Sequence, residues 1–448
     1  MAVHHPSGWP RAPNEGRTLA MKGRSMPSIA TRLASVVEPV VPELPVRIRA
    51  WDGSEAGPMG APILELRSVD ALRRLMWRPG ELGAAQAFVT GEIDIVGDLN
   101  LALTRILAGE SPTTAPPLAA RLAVVARGMR LLADLKAFGA PPPVPKSQAV
   151  MSGRLNSRTR DRRAIHHHYD LSNDFYEHIL DESMAYSCAY FASPGLSLQE
   201  AQLAKLDLIC GKLELGPNTT LLDVGCGWGA LTVHAARAYG ARVTAITIAA
   251  EQHRYVNRRV VEAGLGDSVE VRLCDYRDVA GTFDAVSSIE MGEHVGKRNY
   301  PTFARVLHDR IRPGGRVLIQ QMSRRGRHPG GGPFIESFIA PDMYMRPVGE
   351  TVALLEQAGL EVRDVHALRE HYVATVTGWL ERFEKNVEPL TELVGEEMVR
   401  VWRLYLVGGA AAFRDGRMGV DQILSVRPCE VRGLPSPQIR QSTTNSES

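Results

Sequence analysis

The stretch 221-LLDVGCGWG-229 decides the fold, because it has the pattern of a buried strand that runs directly into the start of a helix. Gly225, Gly227 and Gly229 permit a sharp turn between the two, with backbone N–H groups facing a bound ligand. These glycines are spaced one residue too closely for the G-x-G-x-x-G dinucleotide pattern. The stretch therefore predicts either a ligand-binding loop of another kind or a plain structural turn.

Strands and helices alternate on both sides of this stretch, as in a parallel sheet with helices on both faces. We therefore predict an α/β fold with a doubly wound, Rossmann-like sheet. The predicted helices are 201–214, 229–240, 250–264 and 299–311, and the predicted strands are 220–225, 242–248, 269–275, 283–290 and 316–322.

The composition is that of an ordinary globular protein. The chain has 448 residues, 44% hydrophobic and 23% charged, and a formal net charge of +2, which gives no global field for nucleic acid. No run of about 18 apolar residues and no secretory signal is present. The five cysteines form no C-x-x-C pair, which is typical of reduced thiols in the cytoplasm. No metal site is predicted.

Proline-rich segments and changes of pattern divide the chain into five parts. We predict disordered tails at 1–35 and 431–448, a small α+β domain at 36–110, a linker at 111–160 and the main α/β domain at 161–430. The linker holds 118-LAARLAVVARGMRLLADLKAFG-139, which has the spacing of a basic amphipathic helix. Further on, Asp170 and Ser172 have the pattern of a turn and a helix N-cap, with a helix beginning near Asn173.

Several motifs carry a family resemblance. The glycine loop with Asp223 before it, Asp275-Tyr276-Arg277 after the third strand and Pro313-Gly314-Gly315 before a later strand resembles S-adenosylmethionine-dependent methyltransferases. The segments 168-HYDLSNDFY-176, 186-YSCAYF-191, 247-TIAAEQ-252 and 293-EHVG-296 narrow the likeness. Together they resemble the cyclopropane-fatty-acyl-phospholipid synthase family, which includes the mycolic acid methyltransferases, over residues 160–425.

The resemblance implies S-adenosylmethionine as the cofactor and the N-terminal domain as a lipid-docking module. The histidines His166, His167 and His168 are not carried over as metal ligands, since the family is not metal-dependent. The expected cofactor-binding residues are Tyr186, Ser187, Asp223, Gly225, Gly227, Gly229, Thr247, Gln252, Tyr276 and Arg277.

The family's chemistry requires a base in an apolar pocket, because methyl transfer to an alkene leaves a carbocation that must be sheltered and then deprotonated. By resemblance that base is a bicarbonate ion, held by a cysteine, a glutamate, a histidine and a tyrosine. Cys188, Glu293 and Tyr372 match three of these positions, but Gln320 stands in place of the histidine. A cysteine of many relatives is Gly409 here, so bicarbonate binding stays open.

The predicted function is transfer of a one-carbon unit to the cis double bond of an unsaturated phospholipid acyl chain. Gln320 and Gly409 favour a methylene or methyl-branched product, completed by a partner reductase, over a cyclopropane. The alternatives are a small-molecule O- or N-methyltransferase and an inactive lipid-binding protein. We expect a cytoplasmic enzyme peripheral to the inner membrane face, held by basic side chains: Arg121, Arg127, Arg130, Lys136, Arg154, Arg158, Arg160, Arg162 and Arg163.

Overall fold

The computed structural model describes residues 27–109, 117–149, 171–324 and 329–429. Two sheets organise these residues, one of four strands and one of seven. The predicted tail at 431–448, the three histidines, Asp170 and the five arginines from Arg154 to Arg163 lie outside the described residues.

The smaller sheet belongs to the N-terminal domain and has the order β2-β1-β3-β4. Its inner face packs with helices around a core that includes Ile48, Leu66, Ile93 and Leu131. The elements are α1 (Ile29–Val37), β1 (Arg47–Arg49), β2 (Glu55–Ala56), β3 (Ile63–Leu66), α2 (Val69–Trp77), α3 (Glu81–Val89), β4 (Ile93–Val96), α4 (Leu99–Gly109) and α5 (Leu118–Asp134).

Helix α1 corrects the predicted tail at 1–35. The helix begins at Ile29, where the side chain of Ser28 caps it, and it buries Ala30 and Leu33. Arg32 forms a 2.5 Å ion pair with Asp134 of α5. Five of its nine residues belong to the core of the small domain, and the helix was missed because it is short and follows a long polar segment.

The predicted α/β order of the main domain is confirmed, with element ends shifted by a few residues. The elements are α6 (Asn173–Ile179), α7 (Leu198–Lys212), β5 (Thr220–Val224), α8 (Ala230–Tyr239), β6 (Arg242–Thr247), α9 (Ala250–Glu262), β7 (Val269–Leu273), β8 (Phe283–Ile289), α10 (Gly296–Arg310), β9 (Ile311–Arg324), α11 (Val348–Gln357), β10 (Glu361–Ala367), α12 (Arg369–Lys385), α13 (Val387–Arg414) and β11 (Met418–Val426).

The seven-stranded sheet has the order β10-β11-β9-β8-β5-β6-β7. Strands β9, β8, β5, β6 and β7 are parallel to one another, and β11 is antiparallel to both β9 and β10. The order of the strands changes direction between β5 and β8: β6 and β7 follow on one side of β5, and β8 and β9 on the other. A crevice forms beyond the carboxyl ends of strands at such a switch point, so the topology itself places the ligand site there.

Helices α6, α12 and α13 cover the carboxyl edge of the sheet. Helix α6 begins at Asn173, as predicted, and Ser172 Oγ accepts a hydrogen bond from the Phe175 N–H at 3.2 Å. Helix α13 has a break at Gly395, whose φ of 79° is left-handed. These helices bring a large aromatic cluster, which includes Tyr176, Trp379 and Trp402, against the site.

Helix α13 also joins the two domains. The buried guanidinium of Arg400 donates to the backbone carbonyls of Phe88 at 2.5 Å and Ile93 at 2.9 Å, and it pairs with Asp94 at 3.2 Å. A buried charge requires this degree of pairing to be tolerated. The N-terminal domain is therefore attached to the same helix that covers the site. In the part of the chain described, no helix is long and apolar enough to cross a membrane.

Candidate active site

An open crevice of about 1170 Å³, counting its mouth, lies at the carboxyl ends of β5, β6, β7 and β8. Loops after β5 and β7 line it, and β6 separates those two strands, so the crevice spans roughly 10 Å across the strand ends. That length suits an elongated ligand. Nine of the ten expected cofactor residues line it: Tyr186, Ser187, Asp223, Gly225, Gly227, Thr247, Gln252, Tyr276 and Arg277.

The loop after β5 needs glycine at Gly225 and Gly227, where the backbone lies next to the crevice. Gly225 has a φ of 79°, and a Cβ added to it would lie 2.8 Å from Met291 Cγ. Gly227 has a φ of 54°, and its missing side chain would meet no atom within 4 Å. The backbone at Gly227 is therefore open to the crevice, which fits the close approach of a cofactor.

Gly229 does not line the crevice, which corrects its predicted role. It has a φ of 81° and precedes α8, and a Cβ there would lie 2.8 Å from Val256 Cγ1. The residue is needed for close packing of α8 against α9. A glycine pattern cannot separate these two uses, since both require the same lack of a side chain.

The remaining cofactor candidates are held by neighbours. Asp223 accepts hydrogen bonds from the hydroxyls of Thr232 at 2.8 Å and Ser287 at 2.9 Å, and burial raises the pKa of its carboxyl. The hydroxyl of Thr247 donates to Gln252 Oε1 at 2.9 Å. These bonds fix the rim of the crevice before any ligand enters.

The carboxylate of Glu290 lies at the inner end of the crevice, immediately after β8. Its Oε1 accepts hydrogen bonds from the Cys188 N–H at 2.7 Å and from Gln320 Nε2 at 2.9 Å, and its Oε2 accepts one from the Tyr372 hydroxyl at 2.5 Å. Three of the four predicted catalytic residues thus converge on a carboxylate that sequence reasoning missed. Burial raises the pKa of Glu290, while the Tyr372 bond opposes that shift.

Glu290 also has a left-handed backbone, with a φ of 51°. A residue other than glycine, asparagine or aspartate rarely adopts this conformation, which costs on the order of 1–2 kcal/mol. Strain of this kind persists where the surrounding structure enforces it. The three hydrogen bonds supply that enforcement and hold the side chain toward the crevice.

Glu293 is not among the groups that meet at Glu290, and it does not line the crevice. The side chain is fully buried, its Oε1 accepts a 2.5 Å hydrogen bond from the Met322 N–H, and its Oε2 has no partner among the described residues. Burial, and next the charge of Glu290, raise the pKa of Glu293 to about 8. The structure therefore moves the candidate base from Glu293 to Glu290.

Aromatic rings enclose the space next to Glu290. Tyr186 lies 5.1 Å from Trp379 and 6.1 Å from Trp402, and Tyr372 lies 4.3 Å from Phe413, all between ring centroids. Tyr186 also donates to or accepts from the Tyr405 hydroxyl at 3.0 Å. Ring faces attract cations and exclude water, which is the environment that a carbocation requires.

A pattern in the sequence could have indicated Glu290. It precedes Glu293 by three residues at the end of a predicted strand, where functional side chains of parallel sheets collect. Lys205 also lines the crevice, but the sequence indicates it less clearly, because a lysine within a helix is ordinarily exposed. Its position on the crevice wall depends on how α7 packs.

Comparisons with known proteins agree with this site. Residues 156–423 match the mycolic acid cyclopropane synthetase family. A probable fatty acid methyltransferase of Mycobacterium tuberculosis is 37% identical over 412 residues, covering 88% of this chain and 94% of the relative. The tuberculostearic acid methyltransferase UfaA1 of the same organism is 33% identical and covers 93% of each chain.

Among solved structures, the mycolic acid cyclopropane synthase CmaA1 complexed with S-adenosylhomocysteine and CTAB superposes with a TM-score of 0.56 at 32% identity. The match covers 59% of this chain and 98% of that structure. The family match spans more than half of the chain, and the fold, crevice and glycine loop correspond to those of a cofactor-dependent methyltransferase. The chain therefore belongs to the mycolic acid cyclopropane synthetase family and is an S-adenosylmethionine-dependent methyltransferase.

Proposed function

We propose that the enzyme adds a one-carbon unit to the cis double bond of an unsaturated phospholipid acyl chain, with Glu290 as the base. S-adenosylmethionine supplies the electrophilic methyl group. The observation that carries the proposal is the Glu290 carboxylate, which faces the crevice beside an aromatic enclosure and is held by Cys188, Gln320 and Tyr372. Relatives that align over most of the chain are named as fatty acid methyltransferases, which supports an acyl substrate.

The chemistry balances without a separate ion. The alkene's π electrons would form the new carbon–carbon bond as the sulfur–methyl bond breaks, which leaves S-adenosylhomocysteine and a carbocation on the neighbouring alkene carbon. Glu290 then removes a proton from the transferred carbon. Cys188 and Tyr372 match ligands that the family resemblance assigns to a bicarbonate ion, and Gln320 stands at the position of its histidine ligand. All three donate to Glu290, so we propose that its side chain takes the role of that ion.

The timing of deprotonation sets the product. Immediate loss of a proton from the new methyl group closes a cyclopropane, whereas a prior hydride shift leads to an exocyclic methylene. The three hydrogen bonds lower the pKa of Glu290 against the effect of burial, which makes the carboxylate a weaker base than the same buried group without them, and we propose that the hydride shift therefore precedes deprotonation. We therefore favour the methylene product, which a partner reductase would convert to a methyl branch.

The test removes the Glu290 side chain and then supplies a small base in solution to replace it. Glu290→Gly relaxes a left-handed backbone and leaves the three donors facing an empty space. We expect activity to fall by roughly 10²- to 10⁴-fold, the usual contribution of a general base. Added bicarbonate or formate should restore part of it. Glu290→Gln is the matched control, because its amide fills the space and should prevent rescue.

Product analysis completes the test. Acyl chains from a host that makes unsaturated phospholipids are analysed by mass spectrometry before and after mild hydrogenation, which reduces a methylene and spares a cyclopropane. Failure of bicarbonate to rescue Glu290→Gly, with the variant still binding S-adenosylhomocysteine, would show that Glu290 is not the base. Cyclopropane lipids alone would overturn the product.

We also propose that α5 meets the membrane that holds this substrate. Of the five residues predicted to form its apolar face, Leu132 is buried and four are exposed: Leu118 69%, Leu122 59%, Val125 61% and Met129 46%. Arg121 and Arg130 are exposed beside them. Acidic residues are absent from α5 until Asp134 at its end. An apolar stripe flanked by cations matches the interface of an anionic bilayer.

Vesicle binding distinguishes this role from a solvated helix. Leu122→Ser with Val125→Ser should weaken binding to vesicles that contain phosphatidylglycerol, and added salt should weaken the wild type further. Leu393→Ser, an exposed apolar residue elsewhere, serves as the control. Equal binding of wild type to zwitterionic and anionic vesicles would contradict the charge contribution. The alternative of a small-molecule O- or N-methyltransferase has less support, because it gives the exposed stripe no role.

A further inference from the structure

A buried lysine opens onto the cofactor crevice. Lys205 belongs to α7, is 1% exposed, and lines the crevice together with Ser187 and Asp223. Its ammonium donates to Ser187 Oγ at 2.8 Å. No ion pair joins Lys205 to a carboxylate anywhere in the described ranges. A buried ammonium that lacks a direct anionic partner is costly, so its retention calls for an explanation.

The surroundings of Lys205 hold it in place. Gln202, one turn earlier on α7, donates to the carbonyls of Ser187 at 2.9 Å and Ala185 at 3.3 Å. The helix thus fixes both the ammonium and the segment that forms the crevice wall. Asp223 is already occupied by two hydroxyl donors, and Glu290 by its three donors. The charges of Glu290, Asp181 and Asp223 favour the charged form of Lys205, but none of these carboxylates forms an ion pair with it among the described residues.

The charges of the crevice indicate which part of the cofactor meets Lys205. The reacting methyl group must face Glu290, which places the sulfonium beside that carboxylate. Beyond β7, Arg277 is paired with Asp275 at 2.6 Å, so the positive charge at the far end of the crevice is already balanced by a carboxylate of the protein. Lys205 and Ser187 line the crevice with Asp223 of β5, and the charges of Glu290 and Asp223 both act on Lys205. A carboxylate bound there would pair with the ammonium and accept from the Ser187 hydroxyl.

We propose that Lys205 is the counter-ion of the methionine carboxylate of S-adenosylmethionine and selects cofactors that carry this group. Lys205 acts on binding and does not take part in proton transfer. The proposal rests on the use of S-adenosylmethionine and on the proposed role of Glu290, and it is independent of the lipid product. Burial lowers the pKa of Lys205, and an anion at the ammonium favours its charged form.

The test is a cycle of two proteins and two ligands, measured by isothermal titration calorimetry. Wild type and Lys205→Met are titrated with S-adenosylmethionine and with its decarboxylated analogue, which lacks only the carboxylate. We expect the variant to lose roughly 10- to 100-fold in affinity for S-adenosylmethionine, as for a charge-assisted hydrogen bond, and less than about threefold for the analogue. Lys212→Met, on the same helix but outside the crevice, should change neither affinity.

Two results would overturn the proposal. Equal losses for both ligands would show that Lys205 supports only the shape of the crevice. If Lys205→Met does not fold, the wild type alone decides, since similar affinities for the two ligands would show that the carboxylate is not recognised. Lipid turnover is not measured in this test, so a wrong assignment of the acyl substrate cannot affect it.

Discussion

Glu293 should make the protein less stable as the pH rises. Its side chain is fully buried with one unpartnered oxygen, and burial with the nearby charge of Glu290 raises the pKa of the carboxyl to about 8. In the unfolded chain a glutamate titrates at about 4.3. Between these two values the native state holds a proton that the unfolded state has lost. The free energy of unfolding therefore falls with rising pH across this window.

The size of the effect follows from the same linkage. One extra bound proton gives a slope of about 1.4 kcal/mol per pH unit, so Glu293 should remove about 2.5 kcal/mol between pH 5.5 and pH 7.5. Glu293→Gln does not titrate and keeps an oxygen for the Met322 N–H. The variant should resemble the wild type at pH 5.5 and exceed its stability at pH 7.5.

Urea unfolding followed by tryptophan fluorescence measures both proteins at each pH, and their difference cancels the titration of other groups. Glu262→Gln is the control, since Glu262 is exposed on α9 and should leave the pH dependence unchanged. If the difference between wild type and Glu293→Gln is the same at pH 5.5 and pH 7.5, the carboxyl is not protonated in the folded protein and the reasoning is wrong.

Three further perturbations address the crevice, the base and the domain contact. Gly227→Val should fold but lose cofactor affinity by calorimetry, whereas Gly264→Val, also at positive φ with open space around it, should retain that affinity. Tyr372→Phe removes a hydrogen bond that lowers the pKa of Glu290, so the acid limb of the pH–activity profile should move to higher pH. The share of cyclopropane in the product should rise as well. An acid limb at the wild-type pH would contradict this prediction. Arg400→Met should destabilise the protein by roughly 3–5 kcal/mol and speed amide exchange in the N-terminal domain. The control is the partly exposed ion pair of Arg403 with Glu384, whose loss should lower the free energy of unfolding by under about 1 kcal/mol.

Local sequence was sufficient for the main domain as far as β9, whereas the elements from α11 to β11 were not predicted. The strands from Thr220 to Val224 and from Arg242 to Thr247 are short and rich in apolar and β-branched residues, and glycines mark the turn between the first strand and α8. Parallel strands then bring their carboxyl ends to one edge, so the sequence could assign the candidates that follow β5, β6 and β7 to a common crevice, whereas Tyr186 and Ser187 came from the family resemblance. Helix α1 was missed because it is short and its stability comes from packing against α5 and the small sheet.

What the sequence alone determined is the fold class, the family and the set of residues near the crevice; what the tertiary structure decided is which of them act together. Glu290 and Glu293 are three residues apart and chemically identical in the sequence. The turn after β8 gives Glu290 a left-handed backbone that directs it toward Cys188, Gln320 and Tyr372. These three residues are all more than 50 positions apart in the sequence and meet only across the sheet and α12. Glu293 is instead turned toward β9 and buried. The contacts that separate these roles are long-range, and long-range contacts arise only when the chain is folded.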